Sequence, residues 1–522
     1  MNNAAVLVRL HPSDPVAVTR DALEPGSSAV VPGGPEVEVV ETIPAGHKVA
    51  LVEIPAGSVV TKYGQPIGVA TTAVRPGQHV HTHNLVSLSV AKGPGEPTLR
   101  PDGRPGQGGQ AALGASAGRT PATFSGIVRP DGRVGTRNYV VLVSSVNCSA
   151  TVVRRIASAF GSPGVLGRSD VDGVIALTHG GGCGTAATGD GLAILRRTLA
   201  GYARHPNTAG VVVLGLGCEV NQVDELIEEM ALPASIPVRS ATIQGQGGTR
   251  AAIDWGIAQV RELIETLAPV ERREVPAAEL VLGLQCGGSD AWSGVTANPV
   301  LGFASDLLVA AGGTAVLGET PEIHGAEHLL TARAVRADVA RRLEERIAWW
   351  EAYTKADGTT MDSNPSPGNR AGGITTIEEK SLGAVAKGGS SPLVDVVGYA
   401  EPVVARGGLV FMDTPGYDPV SVTGMIAGGA TVVCFTTGRG SVFGCKPAPS
   451  LKLATTTELY RRMPDDMDLN CGAVLDGTAS VEELGTALFE KILSVASGEH
   501  TKSEELGLGD EEFVPWQLGA VL

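Results

Sequence analysis

Four hydrophobic runs in this chain each break into a short loop that carries cysteine beside glycine, serine, asparagine or glutamine, and their spacing restricts the fold. Tyr139–Ser144 leads into Asn147-Cys148-Ser149, and Val174–Thr178 into His179-Gly180-Gly181-Gly182-Cys183-Gly184. Val211–Leu216 leads into Gly217-Cys218-Glu219, and Leu280–Leu284 into Gln285-Cys286-Gly287-Gly288-Ser289-Asp290. The cysteines stand 35, 35 and 68 residues apart. A strand–helix–strand unit takes roughly thirty residues or more, so the spacing predicts one unit, another, and about two. Helix-like stretches follow the first three loops, over 150–160, up to Tyr202 and up to Met230. This alternation predicts an α/β chain built on parallel sheets. Later runs at Thr314–Leu317, Leu409–Met412 and Thr431–Phe435 continue it, with a long helix expected over Ala326–Tyr353.

The chain has 522 residues, more than one ordinary domain, so several are expected. Residues 1–90 read as a small β unit of short runs, with Pro44-Ala45-Gly46 and Pro55-Ala56-Gly57 repeating at an interval of eleven. Residues 91–121 are rich in Gly, Pro, Ala and Ser and read as a linker. Two α/β units are expected over 122–270 and 271–522, because Arg272–Ala278 is charged and Pro-bearing between two patterned regions.

A formal charge of −15 argues against nucleic acid and anionic membrane surfaces as partners. The start of the chain lacks the apolar core of a signal peptide, and no run approaches the length of a membrane span. A cytoplasmic protein is expected, with its seven cysteines as thiols or metal ligands rather than a disulfide framework.

Ligands of open parallel sheets bind beyond the carboxyl ends of the strands. That places Cys148, His179, Cys183, Cys218, Glu219, Cys286, Asp290 and Glu319 along one expected edge. Thiolates favour zinc or an iron–sulfur cluster, whereas carboxylate and imidazole suit a harder divalent ion. The rival reading is that each cysteine is a small buried hydrophobe. His79, His81 and His83 alternate, as on one face of a strand, which suits metal binding and an exposed polar face equally. His47 follows a tight turn, where a structural role competes with a functional one, and His179 precedes three glycines. Gly182–Ala187 is a weak dinucleotide fingerprint. Gly438–Lys446 is a loop able to cradle an anion with Arg439 and Lys446. Trp349 and Trp350 read as core or subunit packing.

Several ordered motifs carry a family resemblance: Gly132-Arg133-Val134-Gly135-Thr136-Arg137-Asn138, Val146-Asn147-Cys148-Ser149-Ala150, Gly182-Cys183-Gly184, Leu216-Gly217-Cys218-Glu219, Gln285–Asp290, Glu319-Thr320-Pro321-Glu322, Asn364–Asn369, Glu378–Gly383 and Thr436–Gly440. Together they resemble the altronate/galactarate dehydratases over nearly all of 122–480. Gly46–Leu51, Tyr63-Gly64 and Ile67-Gly68 look like the SAF domain, a small β-clip-like module fused ahead of these enzymes. Asp413–Pro419 and His81–Asn84 look closer to the altronate branch. The linker is longer than the family pattern.

The resemblance implies dehydration of an aldonate or aldarate to a 2-keto-3-deoxy acid, with a divalent metal, Fe2+ or Mn2+, and an iron–sulfur cluster left open. It implies an SAF unit and two Rossmann-like α/β units, a sugar-acid substrate and a homo-oligomer. On that reading His47 or His179 is the general base, and Lys380 or Glu319 assists proton transfer. Arg137, Asn147, Asp290, Arg439 and Lys446 bind substrate. His81, His83, Cys183, Cys218, Cys286 and Glu319 are the metal candidates. Three rival functions stand beside it: release of sulfite from sulfolactate, NAD-dependent oxidation, and sugar-acid binding without turnover.

Overall fold

The computed structural model describes residues 4–88, 122–161 and 165–519; the expected linker 91–121 lies outside the described residues. The chain is mixed α/β, with a small β unit ahead of parallel sheets. In the first unit six short strands lie in the spatial order Glu36–Glu38, Ser28–Val30, Ala5–Val8, Val16–Thr19, Lys48–Ala50, His79–Val80. A second sheet joins Val59–Lys62, Gln65–Ala70 and Leu85–Val86. The hairpin between its first two strands turns on Tyr63 and Gly64, both left-handed at φ 60° and 69°. Two central residues of positive φ match the right-handed twist of the strands. The Asp14 carboxylate accepts both turn N–H groups, at 3.0 and 2.9 Å. The turn fixes the end of the strand that carries Lys62.

The next unit has a four-stranded parallel sheet in the order Gly173–Leu177, Tyr139–Ser144, Thr208–Gly215, Val238–Thr242. The central strand is buried on both faces, which explains its unbroken apolar run. Val140 and Leu142 pack with helices Asn147–Ser158 and Thr249–Thr266. Val141 and Val143 face helices Asp190–Ala203 and Val223–Met230. The expected boundary stretch contains a strand, Arg272–Pro276, which pairs antiparallel with Thr123–Val128.

The last unit is a seven-stranded parallel sheet in the order Leu393–Val397, Leu409–Met412, Thr314–Leu317, Val281–Cys286, Val432–Thr437, Ser450–Ala454, Leu469–Asn470. Leu282, Leu284 and Phe411 meet helices Ala297–Ala310 and Val481–Ala496 on one face. Helix Asp418–Ala427 on the other face packs on helix Asp190–Ala203 of the preceding unit. A Cβ at Gly201 would lie 2.3 Å from the Ala427 carbonyl oxygen, so this helix contact depends on glycine. The long helix expected from Ala326 is interrupted. A 3-10 turn at Thr320–Ile323 and a short helix at His328–Thr331 precede helix Ala337–Ala356. Ala334 is drawn into a bridge with Leu393, and Arg336 is extended at φ −147°. Among the described residues, no helix is long and apolar enough to cross a membrane.

Candidate active site between the β unit and the C-terminal sheet

The single expected edge divides into two. Cys148, His179, Cys183, Cys218 and Glu219 follow strands of the four-stranded sheet, whereas Cys286, Asp290, Glu319 and Arg439 follow strands of the seven-stranded one. Among the described residues, only the second edge is covered by the small β unit.

Helix Ile377–Val385 organises the junction. Thr376 caps it by accepting the Glu379 N–H, so Glu379 sits in the first turn, where the helix dipole favours a carboxylate. Glu379 is gripped by two lysines of the β unit, Lys48 at 2.8 Å and Lys62 at 2.9 Å, all three buried. Lys48 also donates to Gly373 O at 2.9 Å and Thr375 Oγ1 at 2.7 Å. Burial opposes the Glu379 carboxylate, but the two ammonium groups outweigh it and bring its pKa down to about 2. Burial lowers Lys48 to about 8 despite the Glu379 charge. Two ammonium groups against one carboxylate leave the triplet positive, an arrangement suited to an anionic ligand.

Beside it lies an imidazole cluster. Only His79 of the alternating histidines is in a strand, and His81 and His83 continue in the turn. The rings still converge, with His79 centred 5.3 Å from His81 and 5.2 Å from His83. His47 Nδ1 is 2.9 Å from His79 Nε2, and His81 Nδ1 is 3.0 Å from Thr375 Oγ1. Ligand atoms of His47, His79 and His81 all fall within 4.8 Å of one another. Burial lowers His79 and His81 to about 3, with neighbouring rings and Lys48 adding to the effect. Neutral imidazole is the form that binds metal, so these residues fit a divalent ion.

A second buried group lies at the strand ends. Cys286 Sγ, Glu319 Oε2 and Glu322 Oε2 approach one another, with Lys387 Nζ 2.8 Å from the sulfur and 3.5 Å from Glu319. Lys380 is partly buried, and its Nζ meets Glu322 at 2.6 Å and Asn364 at 2.9 Å rather than its neighbours Glu378 or Glu379. Glu319 holds a left-handed backbone at φ 65°, its N–H bonded to Thr414 Oγ1 at 2.7 Å. Such strain persists only where surrounding structure enforces it. Burial raises the Glu319 pKa and the Glu322 charge adds to it. For Glu322 burial is overcome by Lys380, which holds it low. The two ammonium groups compete with any cation here, so this trio suits a metal less well than the histidines do.

A polar pocket of about 330 Å³ opens between the β unit and the C-terminal sheet. Its walls include Gly46, Ala371, Asp290, Arg439 and Arg462. The Ala371 carbonyl oxygen lies 3.3 Å from His47 Nε2, which puts that imidazole behind the wall. Burial raises the Asp290 pKa against four hydrogen bonds from Trp292, Ser293 and Thr455. Arg439 and Arg462 form no ion pair with the described residues.

The other nominated residues lie elsewhere. Arg137 is buried against Glu504 and the carbonyls of Thr136, Val495 and Glu499, where it holds the C-terminal segment to the second unit. Lys446 pairs with Asp510 at 2.8 Å. Both ring nitrogens of His179 are engaged by backbone, at Ser144 O and Gly181 N–H, and Asn147 donates to His179 O. The loop over 178–189 is too long for the tight turn of a dinucleotide fingerprint. Sequence reasoning did not nominate Lys48, Lys62, Glu379, Lys387 or Arg462. Glu379 stands in a quoted motif, but a motif marks a region and not a partner.

The small β unit thus closes a charged, histidine-lined junction over a parallel sheet. Residues 277–521 match the family described as D-galactarate/altronate dehydratase, C-terminal; residues 126–268 match its second domain and residues 5–88 its SAF domain. The chain is 38% identical to galactarate dehydratase (L-threo-forming) of Escherichia coli strain K12, over 97% of this chain and 96% of that one. It is 35% identical to altronate dehydratase of Bacillus subtilis strain 168, over 95% and 96%. Against (2R)-sulfolactate sulfo-lyase subunit beta of Chromohalobacter salexigens the identity is 33%, over 76% and 97%. The protein belongs to the altronate/galactarate dehydratase family, whose members named here are sugar-acid hydro-lyases.

Proposed function

We propose that this chain removes water from an aldonate or aldarate at the junction, altronate first and galactarate second, to give a 2-keto-3-deoxy acid. One observation carries the reading: three imidazoles, a net-positive buried triplet and a pocket with two uncommitted guanidinium groups meet there.

Arg439 and Arg462 would pair with the substrate carboxylate. The C2 proton beside that carboxylate is weakly acidic, and its removal builds enediolate charge that the net positive charge of the buried Lys48–Glu379–Lys62 triplet would help to offset. His47 would take the proton once the Ala371 carbonyl in front of it gives way, since burial keeps its ring neutral by outweighing the bond to Ala371. Glu319, its pKa raised, carries a proton toward the departing C3 hydroxyl. His79 and His81 would hold a divalent ion of the Fe2+ or Mn2+ kind, which supplies Lewis-acid stabilisation of the carboxylate and 2-hydroxyl oxygens.

The test follows 2-keto acid, sulfite and bound metal with altronate, galactarate and sulfolactate. Keto acid without sulfite, lost in both His47→Ala and His81→Ala, is expected. His47→Ala should keep the metal and His81→Ala should lose it. Sulfite from sulfolactate alone would make the chain a carbon–sulfur lyase. Nicotinamide binding by calorimetry, or sugar-acid binding without turnover, would favour the other two rivals.

A further inference from the structure

Three of the seven cysteines, Cys148, Cys183 and Cys218, are exposed, whereas Cys286, Cys434, Cys445 and Cys471 are buried. Cysteine is among the most buried residue types, so the exposed three need a reason. They follow three neighbouring strands, Tyr139–Ser144 in the middle, Gly173–Leu177 on one side and Thr208–Gly215 on the other. The strands end level, since Val143 pairs with Leu177 and Ser144 with Leu214.

The loops beyond them are tied together. Asn147 N–H donates to Gly181 O at 2.8 Å, and Val220 N–H to Cys183 O at 3.2 Å. Asn221 Nδ2 donates to Ser145 O at 2.9 Å. The other ligand types on this edge are committed to the same task. Glu219 accepts from Ser145 Oγ at 2.6 Å and from the N–H groups of Leu216 and Gly217, while His179 is held by backbone at both nitrogens. Polar groups thus brace a scaffold that presents three thiols.

We infer that Cys148, Cys183 and Cys218 bind an iron–sulfur cluster, separate from the histidine junction. Thiolates select such clusters or zinc. Among the described residues, the trios with ligand atoms within 4.8 Å are His47–His79–His81 and Cys286–Glu319–Glu322, so the three sulfurs do not all lie within that distance of one another. A cluster takes each thiolate at a different iron and so spreads its ligands further apart. Cys148 is the second residue of the twelve-residue helix Asn147–Ser158, whose positive end favours an anionic thiolate cluster. A Cβ built on Gly182 would meet nothing within 4 Å, so the glycine loop has room beside it. With three thiolates, a four-iron cluster keeps one iron open to an external ligand.

The test uses the full chain, loaded anaerobically with ferrous iron and sulfide and then desalted. About four irons and about four acid-labile sulfides per chain are expected, with a sulfide-to-iron visible absorption band. The Cys148→Ser/Cys183→Ser/Cys218→Ser variant should lose the sulfide and the band while keeping its circular dichroism. Each single variant should lower both, which keeps the test decisive if the triple variant misfolds. Cys286→Ser should retain them. Iron without sulfide, zinc in place of iron, or undiminished sulfide in the folded triple or single variants would overturn the assignment.

Discussion

The two parallel sheets end in loops of similar composition, yet their edges have opposite characters. The seven-stranded edge is roofed by the small β unit, and its Cys286, Glu319, Glu322, Lys380 and Lys387 are nearly all sequestered from water. Among the described residues the four-stranded edge has no such roof over its three thiols, which are exposed. Chemistry at a strand end therefore depends on what covers it. Under the roof, burial shifts pKa values and strengthens charge pairs. In the open, loop geometry and thiol softness remain.

Glu379→Ala should break this contrast most severely. It leaves two buried ammonium groups without their carboxylate, a change that typically destabilises by about 3–5 kcal/mol. Urea unfolding measures it; an unchanged midpoint would show that the junction is wetter than its burial indicates. His81→Ala comes next, with at least about tenfold weaker metal binding expected by calorimetry. Arg439→Ala should raise KM by roughly tenfold with a smaller change in kcat, as expected for one charged hydrogen bond worth about 1.5–3 kcal/mol. Lys446→Ala, at a partly exposed pair, should stay within about 0.5 kcal/mol of the parent and leave turnover unchanged.

The seam between the sheets should respond to pH. His205 is buried, its Nε2 3.0 Å from Ala430 O, and burial lowers its pKa to about 4 against an ordinary 6.5. Below about pH 6.5 the unfolded chain takes up a proton that the folded chain refuses, so stability falls as pH drops toward the folded pKa. The urea midpoint should be lower at about pH 5 than at about pH 7, and His205→Asn should narrow that difference. An equal difference in the variant would remove His205 as a contributor.

The strand–loop–helix repetition was legible because buried parallel strands need unbroken apolar runs and the loops between them need glycine. Arg439 and Glu319 were legible by position alone, as residues just past such runs. Arg137 shows the limit. Its motif is conspicuous, but whether a guanidinium meets substrate or a carboxylate depends on Glu504, 367 residues away. Lys48 and Lys62 gave no local signal, since a lysine in a short strand is ordinarily solvated.

The sequence by itself determined the α/β class, the loops that carry thiols and charge, and through its motifs the family. Tertiary structure alone decided that those loops form two edges, that His47, His79 and His81 converge, and that Glu379 neutralises only part of the charge of two lysines more than three hundred residues away. The physical reason is that periodicity is a local property of the chain. Burial and Coulomb pairing depend on which distant segments exclude water from one another.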